Sequence, residues 1–394
     1  MSNLSQCAVL GAFVGDAAAL GLHWIYSDAV LDAQAELPSL LFTSPRETKR
    51  FFTKRPAVYA HQHKSAGDLS PYGSLLRMAV QQAALDRVVW SDQSVRLFKR
   101  ALCEAFGPGG TYVGYVDSTI RLTLEAVLLE LRLALDAVPV PDEIDAKTAR
   151  LIRHVKVFPL ALVCDGEELL NRSLAATRAS HNFDAALAFT KDVVAAAEAV
   201  RAAAQPCGQA DVAHNTVAVR SLLGTVSTLH LDAQAADAAV RRFNRAVTQA
   251  DDSFAWCNVI HQVLRAVLLG ATIVDAIAQL DLGESAVVAA AVERARAEVA
   301  TDHRDFVGSV GRASYLSCSV PAVLHLLLQV SSRQLDPTAA FVWALEQCVL
   351  AGGDSCGRAA LVGSILGAAH RDVPAALLDQ LADKAALLRE TSSL

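Results

Sequence analysis

Apolar residues recur at helical spacing along almost the whole chain, and the alternating pattern of strands is nearly absent. Two runs show the spacing clearly: Val95, Phe98, Leu102 and Ala105, then Ile120, Leu124, Leu128 and Leu131. Side chains at this spacing share one face of an amphipathic helix. The sequence therefore predicts an all-α fold of roughly a dozen helices, too irregular in length for a solenoid.

A chain of 394 residues is long enough for two or three domains. However, no Pro-, Gly- or Ser-rich linker separates large blocks of sequence. Apolar periodicity resumes after short breakers such as residues 107–110 and 139–141. We therefore expect a single domain over residues 1–394.

The segment from Asp28 to Pro71 departs from the helical pattern. It contains Pro38, Pro45 and Pro56 and a polar run at residues 59–64. Loops of this length inside a compact domain are uncommon and are usually functional or disordered. We expect a functional loop at about 28–71, with a surface excursion as the alternative.

A mean hydropathy of +0.31 raises the question of a membrane. The most apolar stretches, Val320–Val330 and Ala286–Val292, are shorter than the roughly 20 residues that a spanning helix needs. Residues Met1–Val14 contain no Lys or Arg and do not resemble a signal peptide. The sequence thus predicts no membrane association.

Charge and cysteine usage narrow the function classes further. The net charge is −6, and the acidic and basic residues are interspersed, which argues against a nucleic-acid partner. The eight cysteines form no C-x-x-C pair. This usage is typical of a reducing compartment, so we expect a cytoplasmic protein.

One motif near the N-terminus contains a carboxylate in apolar surroundings. Small residues at positions 11, 15, 18 and 19 favour close helix packing. Asp16 lies among them, and a buried carboxylate must be paired, hydrogen-bonded or bound to a metal. His23 follows seven residues later, which allows both side chains to face one side.

A second motif lies near the C-terminus, where Gly352 and Gly353 precede Asp354 and a helix of small residues. Asp354 is expected to cap this helix by accepting backbone N–H bonds. The alternative is an anion site at the helix start, in which Arg358 binds a phosphate. The spacing alone favours the cap.

Together the two motifs resemble those that open and close the ADP-ribosylglycohydrolase family. The matching residues are Gly11, Gly15, Asp16 and Ala17, then Gly352, Gly353, Asp354, Gly363, Gly367 and Ala368. The sequence is most similar to the crystallin J1-like branch, through His23–Tyr26, Tyr72-Gly73 and Gly352–Arg358. The resemblance spans nearly the whole chain and is specific at its ends. It implies an all-α domain with a central cleft.

The resemblance also implies a chemistry. Hydrolases of this family hold two Mg²⁺ ions and cleave the bond that joins ADP-ribose to a protein side chain or another group. Their ligands come from a Thr-Asp-Asp-Thr motif after the long loop and from Asp-x-Asp-Thr in the closing motif. Mg²⁺ needs such a cluster of oxygen ligands.

This chain departs from that ligand set. The four positions after the loop are Ser70, Pro71, Tyr72 and Gly73, and in the closing motif Asp354 is followed by Cys356 and Gly357. The position of a family glutamate holds His23. Only Ser70 and Asp354 remain as metal ligands, too few for two Mg²⁺ ions. We expect no bound cofactor, with Mg²⁺ as the alternative.

Further side chains allow two interpretations each. Cys356 and His23 suit a thiolate–base pair, although a buried apolar cysteine is favoured. His61 and His63 are interpreted as solvated loop histidines rather than metal ligands. Three aromatic residues also have two equally favoured interpretations, namely Trp24, Tyr26 and Tyr72. Their rings stack on an adenine or nicotinamide ring, or they pack in the core.

Three functions fit these observations. The first is a hydrolase of an ADP-ribosyl or related glycosidic bond, in which His23, as general acid or base, and Asp354 are catalytic. Its ligand-binding set is Asp16, Trp24, Asp68, Ser70, Tyr72, Gly73, Gly353, Ser355 and Arg358. The second is a catalytically silent module that binds ADP-ribose or a related nucleotide. The third is a crystallin-like structural protein. The partner expected for the first two is ADP-ribose or an ADP-ribosylated substrate.

Overall fold

The computed structural model describes residues 4–34, 37–52, 57–85, 92–107, 110–117, 119–121, 123–124, 137–146, 149, 183–202, 214–245 and 251–394. In these ranges the regular structure is helical, and the β-type pairings are isolated bridges. The fold is all-α, as the periodicity predicts.

The helices follow one another as α1 (Leu4–Ala19), α2 (Asp28–Gln34), α3 (Pro45–Thr48), α4 (Pro71–Leu85), α5 (Asp92–Phe106), α6 (Phe183–Ala202), α7 (Asn215–Ser227), α8 (Ala233–Asn244), α9 (Asp251–Leu268), α10 (Ile273–Ala278), α11 (Ala286–Ala297), α12 (His303–Val310), α13 (Leu316–Ser332), α14 (Pro337–Leu350), α15 (Ser355–His370), α16 (Ala375–Leu378) and α17 (Lys384–Thr391). Two 3₁₀ turns, Leu20–Leu22 and Lys49–Phe52, follow α1 and α3. The described part already exceeds a dozen helices, because single turns such as α3 and α16 are too short to show an apolar period.

The segment 28–71 is not the continuous loop that the sequence suggests. It contains α2, α3 and the 3₁₀ turn after α3. Ser44 starts α3 by accepting a hydrogen bond from the Arg46 amide, and Pro45 occupies the first turn. We therefore correct the expectation of a long loop. These helices are four to seven residues long, too short for periodicity to detect.

Helices α1 and α15 pack against each other along their length and bring the two terminal motifs together. Gly11 lies on Gly363, and Gly15 lies on Ala359, so closely that a Cβ at any of these glycines would overlap the facing main chain. The small residues of both motifs therefore have a packing role. Both helices are buried almost throughout.

The N-terminal helical stretch Leu4–Leu22 has 19 residues and a mean hydropathy of 1.4. It is longer than either Val320–Val330 or Ala286–Val292, and its length and composition would allow it to cross a membrane. However, 89% of the stretch is buried inside the protein. This burial is typical of a core helix.

A pair of buried histidines joins α12 to α13. The Nδ1 atoms of His303 and His325 lie 3.1 Å apart, and His325 Nε2 lies 3.0 Å from the Glu298 carbonyl oxygen. If His325 donates to that carbonyl, its Nδ1 accepts the proton of His303. The His325 ring also stacks on Phe306 at 4.0 Å. Burial lowers the pKa of both histidines, that of His303 well below 6.5.

The buried pair of His303 and His325 predicts that the folded protein loses stability as the pH falls. Since the folded protein resists protonation of His303, the unfolded chain takes up a proton first as the pH falls below about 6.5. His303 therefore lowers the free energy of unfolding by about 1.4 kcal/mol when the pH falls from 7.5 to 5.5. Urea denaturation at both pH values should show that His303→Gln recovers this difference, whereas His63→Gln, at an exposed side chain, does not. An equal pH response in wild type and His303→Gln would contradict the assignment.

Candidate functional site

Three distant segments of chain meet beside the start of α15. Ile25 forms antiparallel bridges with both Ala57 and Gly353. The Trp24 amide donates to the Gly353 carbonyl at 2.8 Å, the Gly353 amide donates to the Ile25 carbonyl at 2.7 Å, and the Val58 amide donates to the Trp24 carbonyl at 3.2 Å. We call this arrangement the three-segment crossing. It places the two terminal motifs and the segment after α3 around one point.

The backbone is strained at the three-segment crossing. Trp24 has a φ of 66°, in the left-handed region that a bulky residue avoids at a cost of about 1–2 kcal/mol. Its amide and carbonyl are both held by the crossing, which explains how the conformation persists. Gly352 and Gly353, with φ of 72° and 63°, supply the tight turn on the other side. Strain of this kind clusters at functional sites.

Asp354 is the N-cap residue of α15, and its carboxylate interacts with the Gly357 amide in the first turn of that helix. Its Oδ2 accepts a hydrogen bond from Asn215 Nδ2, its Oδ1 lies 3.3 Å from His23 Nε2, and the Tyr72 hydroxyl lies beside it. The ψ of Asp354 is 66°, whereas Asp336, which caps α14, has the extended ψ of 161°. The carboxylate therefore meets side chains from distant parts of the chain in addition to the start of α15, which the expectation of an ordinary cap did not include.

Burial sets the charge state of this carboxylate. Asp354 is fully buried, and the loss of solvent raises its pKa. The Arg358 charge and the hydrogen bonds from Asn215, Tyr72 and the Gly357 amide oppose that rise. An aspartic acid with a raised pKa can hold a proton closer to neutral pH than a solvated one.

His23 is fixed by both of its ring nitrogens. Its Nδ1 accepts a hydrogen bond from the Cys356 amide at 3.2 Å, so that nitrogen carries no proton in the neutral ring. The proton is on Nε2, which faces Asp354 Oδ1. Burial lowers the pKa of His23 well below 6.5, and the nearby His61 ring and Arg358 charge add to the effect. A neutral His23 therefore orients the Asp354 carboxylate.

Asp16 and Ser70 form a second buried pair. The Ser70 amide donates to Asp16 Oδ2 at 2.7 Å, and the Ser70 hydroxyl donates to Oδ1. Burial raises the pKa of Asp16 to about 7, against the stabilising hydrogen bonds from Ser70 and Gly73. A Cβ at Gly73 would overlap Asp16 Oδ2, so only glycine fits there. The pair ties the start of α4 to α1.

The predicted aromatic residues take different positions. Trp24 is 9% exposed and packs edge-on against Tyr115, with ring centroids 4.9 Å apart. Tyr72 is buried with its hydroxyl at Asp354, and Tyr26 is half-buried. Of the three predicted rings, only Tyr72 is thus in contact with the carboxylate.

His61 corrects the interpretation of the loop histidines. Its ring is 3% exposed rather than solvated, and its centroid lies 5.3 Å from that of His23 and 5.8 Å from that of Trp24. Burial, with a contribution from the Lys64 charge, lowers the pKa of His61 to about 3. His63 is exposed, as expected. The H-x-H spacing alone could not reveal this difference.

Arg358, which the sequence suggests as a phosphate ligand, lies buried beside the glycine turn. It is 1% exposed, and its Nη2 donates to the carbonyl oxygens of Cys348 and Gly352. These carbonyls belong to the end of α14 and the turn after it, where a cation is favourable. In the structure, Arg358 thus holds the glycine turn that precedes Asp354.

The remaining predicted residues lie around this centre. Ser355 Oγ is 3.5 Å from His23 Nδ1, and Cys356 meets His23 through its backbone amide rather than its thiol. Burial raises the pKa of the Cys356 thiol well above 9, which favours the apolar interpretation of this residue. Asp68 accepts a hydrogen bond from the Ser65 amide and lines a cavity of about 470 Å³ beside Lys64.

Sequence reasoning missed two polar residues of the site. Asn215, at the start of α7, donates from Nδ2 to both Ser319 Oγ and Asp354. Asp117 is buried, and its Oδ1 accepts hydrogen bonds from the amides of Thr119 and Ile120. Burial, with a contribution from Asp354, raises its pKa to about 6. Asp117 has the signature of a helix cap, which gave no reason to place it near Asp354.

The donor set around Asp354 bears on the metal question. The side chains that contact the carboxylate are an amide N–H donor, an imidazole and a phenol. Ser70, the other predicted ligand, donates its hydroxyl to Asp16. Within the described ranges, no group of three or more His, Cys, Asp and Glu side chains is arranged to hold a metal ion.

Comparison with known proteins gives one match over the whole chain. The family model described as ADP-ribosylglycohydrolase matches residues 6–394. A solved structure titled "ADP-ribosylglycohydrolase-related protein complex" is 17% identical, covering 82% of this chain and 95% of that chain, with a TM-score of 0.33. No curated protein matches the sequence.

Proposed function

Because the chain belongs to the ADP-ribosylglycohydrolase family, we propose that it hydrolyses the glycosidic bond between ADP-ribose, or a closely related group, and its substrate. The observation that carries this proposal is the buried Asp354 carboxylate, which is oriented by His23 and Asn215 as well as by the start of its own helix. A fully buried carboxylate whose pKa is raised by the loss of solvent is costly, and a catalytic role explains its presence.

Hydrolysis of a glycosidic bond needs one group that protonates the leaving atom and one that takes a proton from water. Asp354 suits the first role, since its raised pKa keeps a proton available nearer neutral pH. Asp117 suits the second, because a pKa of about 6 leaves it mostly ionised at pH 7. The two carboxylates influence each other's charge state, which supports their use in one site. His23 keeps Asp354 in position.

We further propose that this chemistry proceeds without Mg²⁺. Where the family resemblance implies an aspartate ligand, this chain has Tyr72, whose hydroxyl lies at Asp354. Where it implies a glutamate, the chain has His23, whose Nε2 faces the same carboxylate. Mg²⁺ demands several oxygen ligands in near-octahedral arrangement, and these residues do not supply them. The residues present therefore do not fit the two-ion site.

The proposal also includes the branch of the family, the cellular location and a second candidate function. Membership of the crystallin J1-like branch is supported by the run His23–Tyr26, which builds the three-segment crossing. A cytoplasmic location follows from the cysteine usage alone. A silent binding module is the second candidate, favoured by the fact that both ring nitrogens of His23 already face protein groups.

Calorimetric titration of ADP-ribose tests the binding step. We expect ADP-ribose to bind equally well in EDTA and in millimolar Mg²⁺, because no metal holds the site together. A protein that binds only in Mg²⁺ would contradict the metal-free site. Heat from neither titration, together with an unchanged melting temperature, would contradict the ADP-ribosyl assignment, since a ligand of the native state must stabilise it.

A further inference from the structure

His61 differs from the other buried histidines of the described ranges. Five histidine side chains are buried there: His23, His61, His261, His303 and His325. Each of the other four has at least one ring nitrogen within 3.2 Å of a polar atom. Neither Nδ1 nor Nε2 of His61 has a hydrogen-bond partner among the residues that the structure describes. The ring is therefore the unsatisfied imidazole of this site.

Such a ring is costly to bury unless something bonds to it. A polar group that loses water without gaining a partner destabilises the fold, and natural proteins rarely retain one without a reason. His61 is nevertheless held firmly, because its ring stacks on Trp24 at an interplanar angle of 27° and lies against His23. The position thus keeps an unsatisfied imidazole next to the residue that orients Asp354.

The neutral state of His61 limits what it can bind. The nearby Lys64 charge and burial both oppose protonation, so the ring presents one N–H donor and one acceptor nitrogen. A phosphate offers only acceptors and suits one of these nitrogens at most. A hydroxyl both donates and accepts, and it serves either nitrogen.

We propose that His61 is a ligand-contacting residue that hydrogen-bonds a ribose hydroxyl of the substrate. This inference rests on the proposed function, because ADP-ribose supplies the ribose. The inference adds a specificity determinant to the site. His61 recognises the ribose of the substrate, whereas Asp354 acts on the glycosidic bond. Trp24 supports the imidazole from its face and fixes its direction.

The test compares His61→Phe, His61→Gln and the exposed control His63→Phe with wild type in two measurements. Calorimetry gives the Kd for ADP-ribose, and thermal melting gives the stability. We expect His61→Phe to weaken ADP-ribose binding by about 10-fold or more, as for loss of a buried hydrogen bond. Its melting temperature should be equal or higher, because phenylalanine buries no unsatisfied nitrogen. His61→Gln, which keeps a donor and an acceptor, should lose less affinity, and His63→Phe none.

Two results would overturn the inference alone. One is binding of ADP-ribose by His61→Phe with the wild-type Kd. The other is a fall of more than roughly 5 °C in the melting temperature of both His61 variants, which would mean that the ring nitrogens stabilise the fold. Absence of ADP-ribose binding by wild type would instead remove the proposed function, and the inference with it.

Discussion

Gly363→Ala is expected to destabilise the protein by about 3 kcal/mol. Alanine normally stabilises a helix relative to glycine by up to about 1 kcal/mol. Here, however, a Cβ on Gly363 would overlap the Gly11 carbonyl group of α1. The overlapping atoms are main chain, so a rotamer change cannot relieve the clash, and α1 must move away from α15. The free energy of unfolding from urea denaturation measures this effect.

Gly308→Ala is the matched control for that prediction. Gly308 also lies inside a helix, α12, but a Cβ there would meet only the guanidinium group of Arg312, at an ordinary contact distance of 3.4 Å. We expect it to be neutral or to stabilise by about 0.5–1 kcal/mol. Equal effects of the two substitutions would show that close approach of α1 and α15 is not what holds the terminal motifs together.

Asp354→Asn is expected to lower kcat for release of ADP-ribose by about 10²- to 10⁴-fold. The amide matches the carboxylate in volume, but its NH2 group faces an N–H donor of Asn215 or His23, and it cannot hold or move a proton. KM should change much less than kcat, because the substitution removes an interaction of the transition state rather than of the bound substrate. Steady-state kinetics on an ADP-ribosylated peptide separates the two constants.

Asp336→Asn controls for the general effect of such a change. Asp336 also precedes a helix, α14, and caps it through the Ala339 amide, a role that asparagine performs as well. Its activity should equal that of wild type. If Asp354→Asn kept its activity while melting normally, Asp354 would have no proton-transfer role; if wild type itself released no ADP-ribose, the silent binding module would become the better account.

The all-α fold and the meeting of the terminal motifs were within reach of the sequence. Helical periodicity depends only on local spacing, and it predicts a helix where α5 lies. The small residues at positions 11 and 15 indicated close packing, and they lie against Gly363 and Ala359. A single-turn helix such as α3 is too short to show an apolar periodicity, so the sequence predicts a loop over the segment 28–71.

The orientation of individual side chains could not be predicted from the sequence. The additional partners of Asp354 come from distant parts of the chain, and the glycine turn before it is set by its bridge to Ile25. Asn215 and Asp117 come to the site from far along the chain, so no local motif connects them with Asp354. His61 is buried by its contacts with Trp24 and His23, whereas His63, two residues on, is exposed.

The most direct test of a metal-free carboxylate site is the rate at which wild-type protein releases ADP-ribose from an ADP-ribosylated peptide in EDTA. The account predicts release at the same rate in EDTA and in millimolar Mg²⁺, and loss of release in Asp354→Asn under both conditions. Release that requires Mg²⁺ would contradict the account, because it would mean that Asp354 serves a metal ion rather than a proton.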